Sequence, residues 1–417
     1  MTTEAAGSTL KPETPAQAAE AVRWALSANE PLEILGGGSR RGFGRPVRAA
    51  HRLDLSALAG VTDYEPEELV LTAGAGTPMA VILPMLAERR QQLSFEPPDY
   101  GPLLGRPAGQ GTLGGLIACG LGGPRRIKDG SARDHTLGIQ GVNGRGELYR
   151  GGGKVVKNVT GYDVPKLMTG SFGTLTALTE LTVKVLPAPE ETRTLLLAGR
   201  DEAAAVAALT RAMQSPYEVS GAAHLPAGIA ARSSVPGVAG AGGAATLVRL
   251  EGFAPSVTAR VAALREELGA DAVLEREESL AVWREVRDVA FFAGGGAGDG
   301  AMDVARHVWK LSVPPADGPR VAEALRRALD AEVYLDWAGG LLWAAVAPGG
   351  DGDEGAAVRA AMPGSGHATL VRAPEAVRAA ADVFQPLPEP LLALTRRVKA
   401  GFDPRGLFNP GRMYPGV

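Results

Sequence analysis

Between Gly101 and Gly153 the chain carries 17 glycines in 53 residues, where its overall content of 56 in 417 would place about seven. Sections as glycine-dense as Gly109 to Gly115 and Gly120 to Gly123 are expected to form loops rather than a regular helix or strand. A chain without Cβ atoms can turn with positive φ and press its N–H groups against the phosphates or ring edge of a ligand. The competing reading is a flexible linker. Leu113, Leu116, Ile117 and Leu121 run through the glycines and a hairpin pattern follows directly, which a solvated linker would not need. The segment therefore reads as a binding element around which the fold is arranged.

Composition narrows the ligand. A length of 417 residues suggests two or three domains. A net charge of −3 gives no electrostatic case for nucleic acid or an anionic membrane. No apolar run is long enough to span a bilayer, and the first residues have neither a basic nor an apolar signal segment, so a cytoplasmic protein is expected. A single cysteine, Cys119, excludes an internal disulfide, a thiolate zinc site or an iron–sulfur cluster held by this chain alone. The five histidines (His51, His135, His224, His307, His367) show no metal-binding pairing, so no metal site is expected. Any redox group should be organic, and any metal relay should sit on a partner.

Along the chain, Thr14-Pro15-Ala16-Gln17 has the pattern of a helix start. A short strand, Leu32 to Leu35, then runs into Gly36-Gly37-Gly38-Ser39-Arg40. The dinucleotide fingerprint fails because Arg41 stands where its third glycine belongs, and the one Gly-Lys pair, Gly153-Lys154, lacks the following Ser or Thr of a nucleotide loop. What remains is a row of N–H donors beside Ser39, Arg40 and Arg41, able to hold a pyrophosphate. A second strand, Leu69 to Ala73, ends in a glycine turn with Gly76 and Thr77. Thr136 to Val142 and Glu147 to Arg150 form the hairpin, and Leu178 to Leu186 reads as an alternating strand before a proline boundary. From Thr194 onward, strand–helix units predict an α+β sheet covered on one face by helices. Ala293 to Gly300 and Pro348 to Gly355 read as loops, and Leu391 to Ala400 as a helix before the closing FDPRGLFNPGRMYPGV.

Three segments together carry a resemblance: PLEILGGGSRRGFG (31–44), GTLGGLIACGLGGPRR (111–126) with KNVTGYDVPKLMTGSFGTLTALTELTVKVLP (157–187), and FDPRGLFNPGRMY (402–414). In order and spacing they resemble the vanillyl-alcohol-oxidase-type, or PCMH-type, FAD family, and within it the flavin-binding subunits of bacterial glycolate oxidase. The resemblance implies an α+β fold. Residues 1–187 would be a PCMH-type FAD-binding domain of two α+β subdomains, 188–385 an α+β cap with an antiparallel sheet, and 386–417 a segment returning to the FAD domain. It implies cofactor contacts from Gly36, Gly37, Gly38, Ser39, Arg40, Gly76, Thr77, Thr112, Gly114, Gly115, Asn158, Gly161, Tyr162, Asp163, Gly173 and Asn409. Covalent relatives attach flavin through histidine or cysteine; here Ser39, Arg40 and Arg41 fill the first loop, and Cys119 stands among apolar residues and reads as a buried structural thiol. Non-covalent FAD is expected.

Oxidising a 2-hydroxy acid such as glycolate requires a hydride acceptor, a base and a cation for the carboxylate. The histidine-rich GDGN-type segment of self-sufficient relatives has only Gly366-His367-Ala368-Thr369 to answer it. His367 is the candidate base, with a solvated or core histidine as the competing reading. Arg249 and Lys310, on cap strands, are the candidate carboxylate ligands, against solvent-facing charges. The resemblance implies partners: a larger FAD-containing catalytic subunit and an iron–sulfur subunit, with membrane association only through them. A non-catalytic flavin scaffold or relay, and a stand-alone 2-hydroxy-acid oxidoreductase, remain as alternatives.

Overall fold

The computed structural model describes residues 7–154, 161–293, 306–349 and 354–417. Helix α1 (Pro15–Ala28) starts as its sequence dictates: the Thr14 hydroxyl accepts from Gln17 N, and the Gln17 amide reaches back to Glu13 N. It buries Ala18, Val22 and Ala25, and ends where Asn29 adopts φ 55°. Strand β1 (Leu32–Leu35) follows, pairing in parallel with β2 (His51–Asp54), which pairs in parallel with Thr9–Leu10. The C-terminal tail lies along the free side of β1, through Leu32 N to Leu407 O at 2.8 Å and Asn409 N to Leu32 O at 3.0 Å.

A second sheet has five antiparallel strands in the order β3 (Val61–Glu65), β4 (Val70–Gly74), β7 (Ala177–Lys184), β5 (Thr136–Val142), β6 (Leu148–Gly152). Helix α2 (Met79–Glu88) and helix α3 (Leu113–Ala118) follow the two glycine turns that flank this sheet. Helix α3 corrects the sequence expectation that Gly109 to Gly115 is purely loop. Leu113, Leu116 and Ile117 are fully buried, and Thr112 caps the helix by accepting from Gly115 N at 3.2 Å. Burial and the cap outweigh the cost of two helical glycines. The glycines are needed for close approach: a Cβ on Gly114 would stand 2.8 Å from Ala75.

The third sheet has eight antiparallel strands in the order β11 (Ala272–Leu274), β8 (Glu191–Ala198), β10 (Ala245–Gly252), β9 (Gly221–Leu225), β13 (Ala331–Asp336), β14 (Leu341–Val346), β12 (His307–Ser312), β15 (His367–Arg372). Helices α4 (Glu202–Gln214), α5 (Ala254–Leu268) and α7 (Gly318–Ala328) pack on its outer face. The inner face carries helix α6 (Arg276–Asp288), through Trp283 Nε1 to Thr194 Oγ1 at 2.8 Å, and meets the residue 94–126 segment. Sequence reading missed α6, whose polar outer face hides a narrow buried stripe of Val282, Trp283 and Val286. It also missed the helix Glu354–Ala360, part of which was read as loop. The Ala293 to Gly300 loop lies almost wholly outside the described residues.

Candidate functional site

The first glycine loop, the N-terminal end of α3 and the C-terminal tail enclose a cleft of about 770 Å3, part of it open to solvent. Its walls include Gly36, Gly37, Gly38, Ser39, Arg40 and Arg41 from the first loop, Thr112, Gly114, Gly115 and Cys119 from the second, and Phe172, Gly173, Asn409 and Arg412. The two loops touch: a Cβ on Gly37 would stand 2.2 Å from Gln110 O, and one on Gly36 would meet the Thr112 hydroxyl at 2.6 Å. Glycine at these positions is a steric requirement. The second loop is stitched to the turn after β4 by Met79 N to Gly111 O, Leu113 N to Thr77 O and Gly114 N to Ala75 O, at 2.8, 3.0 and 2.8 Å.

The tail holds the cleft together from the other side. Asn409 accepts from Ile34 N through Oδ1 and donates to Phe172 O through Nδ2, both at 2.8 Å, so one amide ties β1 to the Phe172 turn. Lys399 donates to Thr174 O, Phe408 O and Asp403 Oδ2 at 2.6, 2.9 and 2.7 Å. Cys119 is half-buried in the cleft wall; burial pushes its thiol up from the usual range, and Arg40 and Arg412 oppose that only in part. A thiol so disposed is a poor nucleophile. It lines the cleft and packs against the main hydrophobic core.

A different chemistry occupies the seam between the segment 94–126 and the eight-stranded sheet. Arg249 donates to Glu96 Oε1 and Oε2 at 2.8 and 2.9 Å, and Arg125 to Glu251 Oε2 and Oε1 at 3.0 and 2.9 Å. All four side chains are buried, and Arg249 also stacks on Trp283 at 4.7 Å. Burial opposes ionisation of Glu96, but Arg125 and Arg249 overcome it and hold the carboxyl below its usual range.

Register puts the remaining polar side chains of the inner face in two rows. Tyr334, Trp343, Lys310 and Thr369 are successive cross-strand neighbours, as are Asp336, Leu341, Ser312 and His367. Trp343 meets Tyr100 edge-on at 5.7 Å, and Trp337 Nε1 donates to Gly123 O at 3.3 Å, which fixes this face toward the glycine-rich segment. Lys310 lies over Trp337 and Trp343 at 5.3 and 5.9 Å, and Arg126 over Trp337 at 4.5 Å. Among the described residues neither cation has an ion-pair partner. Burial, then Arg126, pushes the Lys310 ammonium down to about 8, and burial pushes the Asp336 carboxyl up to about 7.

Comparison with known proteins agrees with this geometry. The family profile of the FAD binding domain matches residues 7–152, and that of the C-terminal domain of FAD linked oxidases matches residues 377–413; both ranges contribute to the cleft wall. Glycolate oxidase subunit GlcE of Escherichia coli (strain K12) is 34% identical over 95% of this chain and 96% of its own length. The chain belongs to the FAD-linked oxidase family. Glycolate oxidase subunit GlcD of Bacillus subtilis (strain 168) is 36% identical, over 33% of this chain and 27% of its own. Among solved structures, p-cresol methylhydroxylase superposes with a TM-score of 0.70 over 98% of this chain and 88% of its own at 15% identity, which supports the PCMH-type fold alone. This FAD-linked oxidase is thus an FAD-dependent oxidoreductase of α+β, PCMH-type architecture.

In this FAD-linked oxidase the structure gathers Gly36, Gly37, Gly38, Ser39, Arg40, Thr112, Gly114, Gly115, Gly173 and Asn409 of the sequence-selected residues around one cleft. Others lie elsewhere. Thr77 is spent inside its own turn, donating to Gly74 O at 2.6 Å and accepting from Gly60 N at 2.9 Å, and Gly76 packs against the Leu55 and Ser56 carbonyls; Ala75 lines the cleft instead. Gly161 and Asp163 are outside the cleft wall, Asp163 capping Val164–Met168, and Tyr162 is 93% exposed. Asn158 lies outside the described residues. Arg249, Lys310 and His367 share the inner face of the third sheet but none lines the cleft. Arg249 is engaged by Glu96 and is not free for a substrate carboxylate. His367 is exposed at the start of edge strand β15, rather than in a turn. Sequence reading missed Arg412 and Asp336; the cleft-lining tail in the family motif was a pointer to the first, and nothing local marks the second.

Proposed function

We propose that this chain is the FAD-binding subunit of a glycolate-oxidising complex, acting on a small 2-hydroxy acid and passing electrons to an iron–sulfur partner. The observation that carries this reading is the end-to-end match with GlcE of Escherichia coli, 34% identity over 95% and 96% of the two chains. The partial match to GlcD supports a larger, related flavoprotein as one partner. With one cysteine in the sequence, a cluster would have to be held by another subunit. Among the described residues no helix is long and apolar enough to cross a membrane, so membrane association would come through partners.

The cleft residues fit FAD. The glycine loops pack on each other too closely for a Cβ at Gly36 or Gly37, which leaves their backbone to line the cleft, and Arg40 Nε is buried with no hydrogen-bond partner. Gly36 to Arg40, Thr112 to Gly115, Gly173 and Arg412 would hold the cofactor, which supplies a two-electron acceptor when bound. The division into an FAD domain (1–187), a cap (188–385) and a returning segment (386–417) is part of the same reading. Lys310 and Arg126, cations on tryptophan faces without acidic partners, would receive the substrate carboxylate. The indoles and Tyr100 would exclude water there, and Asp336 or His367 would take the hydroxyl proton.

One observation favours the scaffold or relay alternative: among the described residues, none between 188 and 385 lines the cleft. The visible spectrum of the purified chain, recorded with glycolate under anaerobic conditions, separates the two. Bleaching of the flavin bands by glycolate alone is the expected outcome. Bleaching only after partner subunits are added would assign the chemistry elsewhere, and a protein that takes up no FAD would remove both readings.

A further inference from the structure

The turn that joins β13 to β14 holds a conformation its residues do not favour. Trp337, Ala338 and Gly339 follow one another with φ of 50°, 57° and 101°. Among the described residues no other two adjacent non-glycine residues lie in the left-handed region. That backbone crowds a Cβ, and side chains persist there only where the surroundings over-determine them. Here hydrogen bonds do so. Asp336 Oδ1 accepts from Trp337 N at 2.7 Å, Gly340 N donates to Trp337 O at 3.0 Å, and Val313 N donates to Gly340 O at 3.0 Å. Gly339 has no room for a side chain, since a Cβ would stand 2.7 Å from Pro315 O.

The strained turn fixes the direction of one ring. Trp337 is buried, and its Nε1 donates at 3.3 Å to Gly123 O, the carbonyl that also accepts from Arg126 N at 3.2 Å. The indole and the base of Arg126 hang from a single acceptor. Arg126, from the glycine-rich segment, lies 4.5 Å over the ring, and Lys310, from β12, lies 5.3 Å from its centroid. Among the described residues the Arg126 side chain has no other partner. The ring's quadrupole attracts each cation while the two repel each other. That repulsion reaches Lys310: after burial, Arg126 is the larger influence lowering its ammonium, and Asp336 opposes it.

We propose that Trp337 is a positioning residue: its left-handed turn aims the indole as a plate that holds Lys310 and Arg126 together, so that cations from two separate elements grip one carboxylate. That the carboxylate is a 2-hydroxy acid's rests on the functional reading above; the plate does not.

The test uses the full-length chain and follows acetylation of Lys310 by acetic anhydride across pH, read by mass spectrometry. Only the neutral amine reacts, so the midpoint reports its titration. Arg126→Gln removes a neighbouring like charge and should raise that midpoint by about 1 pH unit in the wild type and in Trp337→Phe, which keeps a ring. In Trp337→Leu the same substitution should have no effect, because the two cations are no longer held together. Lys399, buried in the tail network, labels only if a variant unfolds, and Trp337→Met replaces Trp337→Leu in that case. Glycolate should slow Lys310 labelling in the wild type and in Trp337→Phe, and require about 10-fold more in Trp337→Leu. The proposal is overturned if Arg126→Gln leaves wild-type Lys310 unmoved, if it moves Lys310 equally in Trp337→Leu, or if Phe and Leu behave identically. An intact charge effect with no response to glycolate would support the plate and overturn the functional reading of the pair.

Discussion

The cleft and the seam beneath the third sheet both bury arginines, and they treat the charge in opposite ways. At the seam Arg125 and Arg249 are matched by Glu96 and Glu251 within 3.0 Å, and the Trp283 ring closes over Arg249. At the cleft Arg40 and Arg412 meet only carbonyls. Arginine does not escape an apolar setting by losing its proton, so an unpaired pair persists as charge. The difference separates a clamp closed by the chain's own acids from a cleft wall whose arginines meet only carbonyls. Lys310 and Asp336, on the inner face of the third sheet, can escape by titration, and their pKa values move toward each other for that reason.

The largest expected effect breaks the clamp. Glu96→Gln leaves Arg249 and Arg125 partly uncompensated and should cost roughly 3–5 kcal/mol of stability, read as a fall in the denaturation midpoint. A change below about 1 kcal/mol would mean that the seam charges are no better matched than those of the cleft. Cofactor-free Arg412→Met should not show a loss of that size.

The next effect is pH-dependent. Burial raises the Asp336 carboxyl from the ordinary 3.8 to about 7, so between those values the folded protein binds a proton that the unfolded chain has released. Stability should therefore fall as pH rises from about 4 to about 7 on account of this group, and level off above. Asp336→Asn, which keeps an acceptor for Trp337 N, should flatten that slope and gain on the order of 4 kcal/mol at pH 8 relative to pH 4. A slope unchanged in the variant would place the titration elsewhere.

The smallest effect tests the frame of the cleft. Thr112→Ala removes the cap of α3 and should cost about 1 kcal/mol, with FAD affinity falling because Gly36 packs on the same side chain. Full FAD affinity in this variant would show that the two loops are positioned by backbone bonds alone.

Much of the cleft was legible because glycine is a local signal of close approach. Gly36, Gly37 and Gly114 stand where their sequence density suggested, since no other residue fits 2.2 to 2.8 Å from neighbouring backbone and side-chain atoms, and Gly38 takes a φ of 70°. The helix over Leu113–Ala118 was not legible, because glycine's low helix propensity argued against it while burial of Leu113, Leu116 and Ile117 decided for it. The same limit hid α6 and turned His367 from a turn residue into the first residue of an edge strand.

Charges show the boundary best. The sequence by itself determined that the chain would present N–H-rich glycine loops, hold no metal cluster of its own through cysteine, and carry arginines near its first loop and in its tail. Only the tertiary structure decided which of those arginines are free. Arg249 was selected as a carboxylate ligand, and Glu96, 153 residues away, removes it from that role. Arg412 was not selected, and folding brings it to the cleft with no acid to meet it. Ion pairing between distant residues depends on a few ångströms of separation in the folded chain, and no local pattern of sequence encodes that distance.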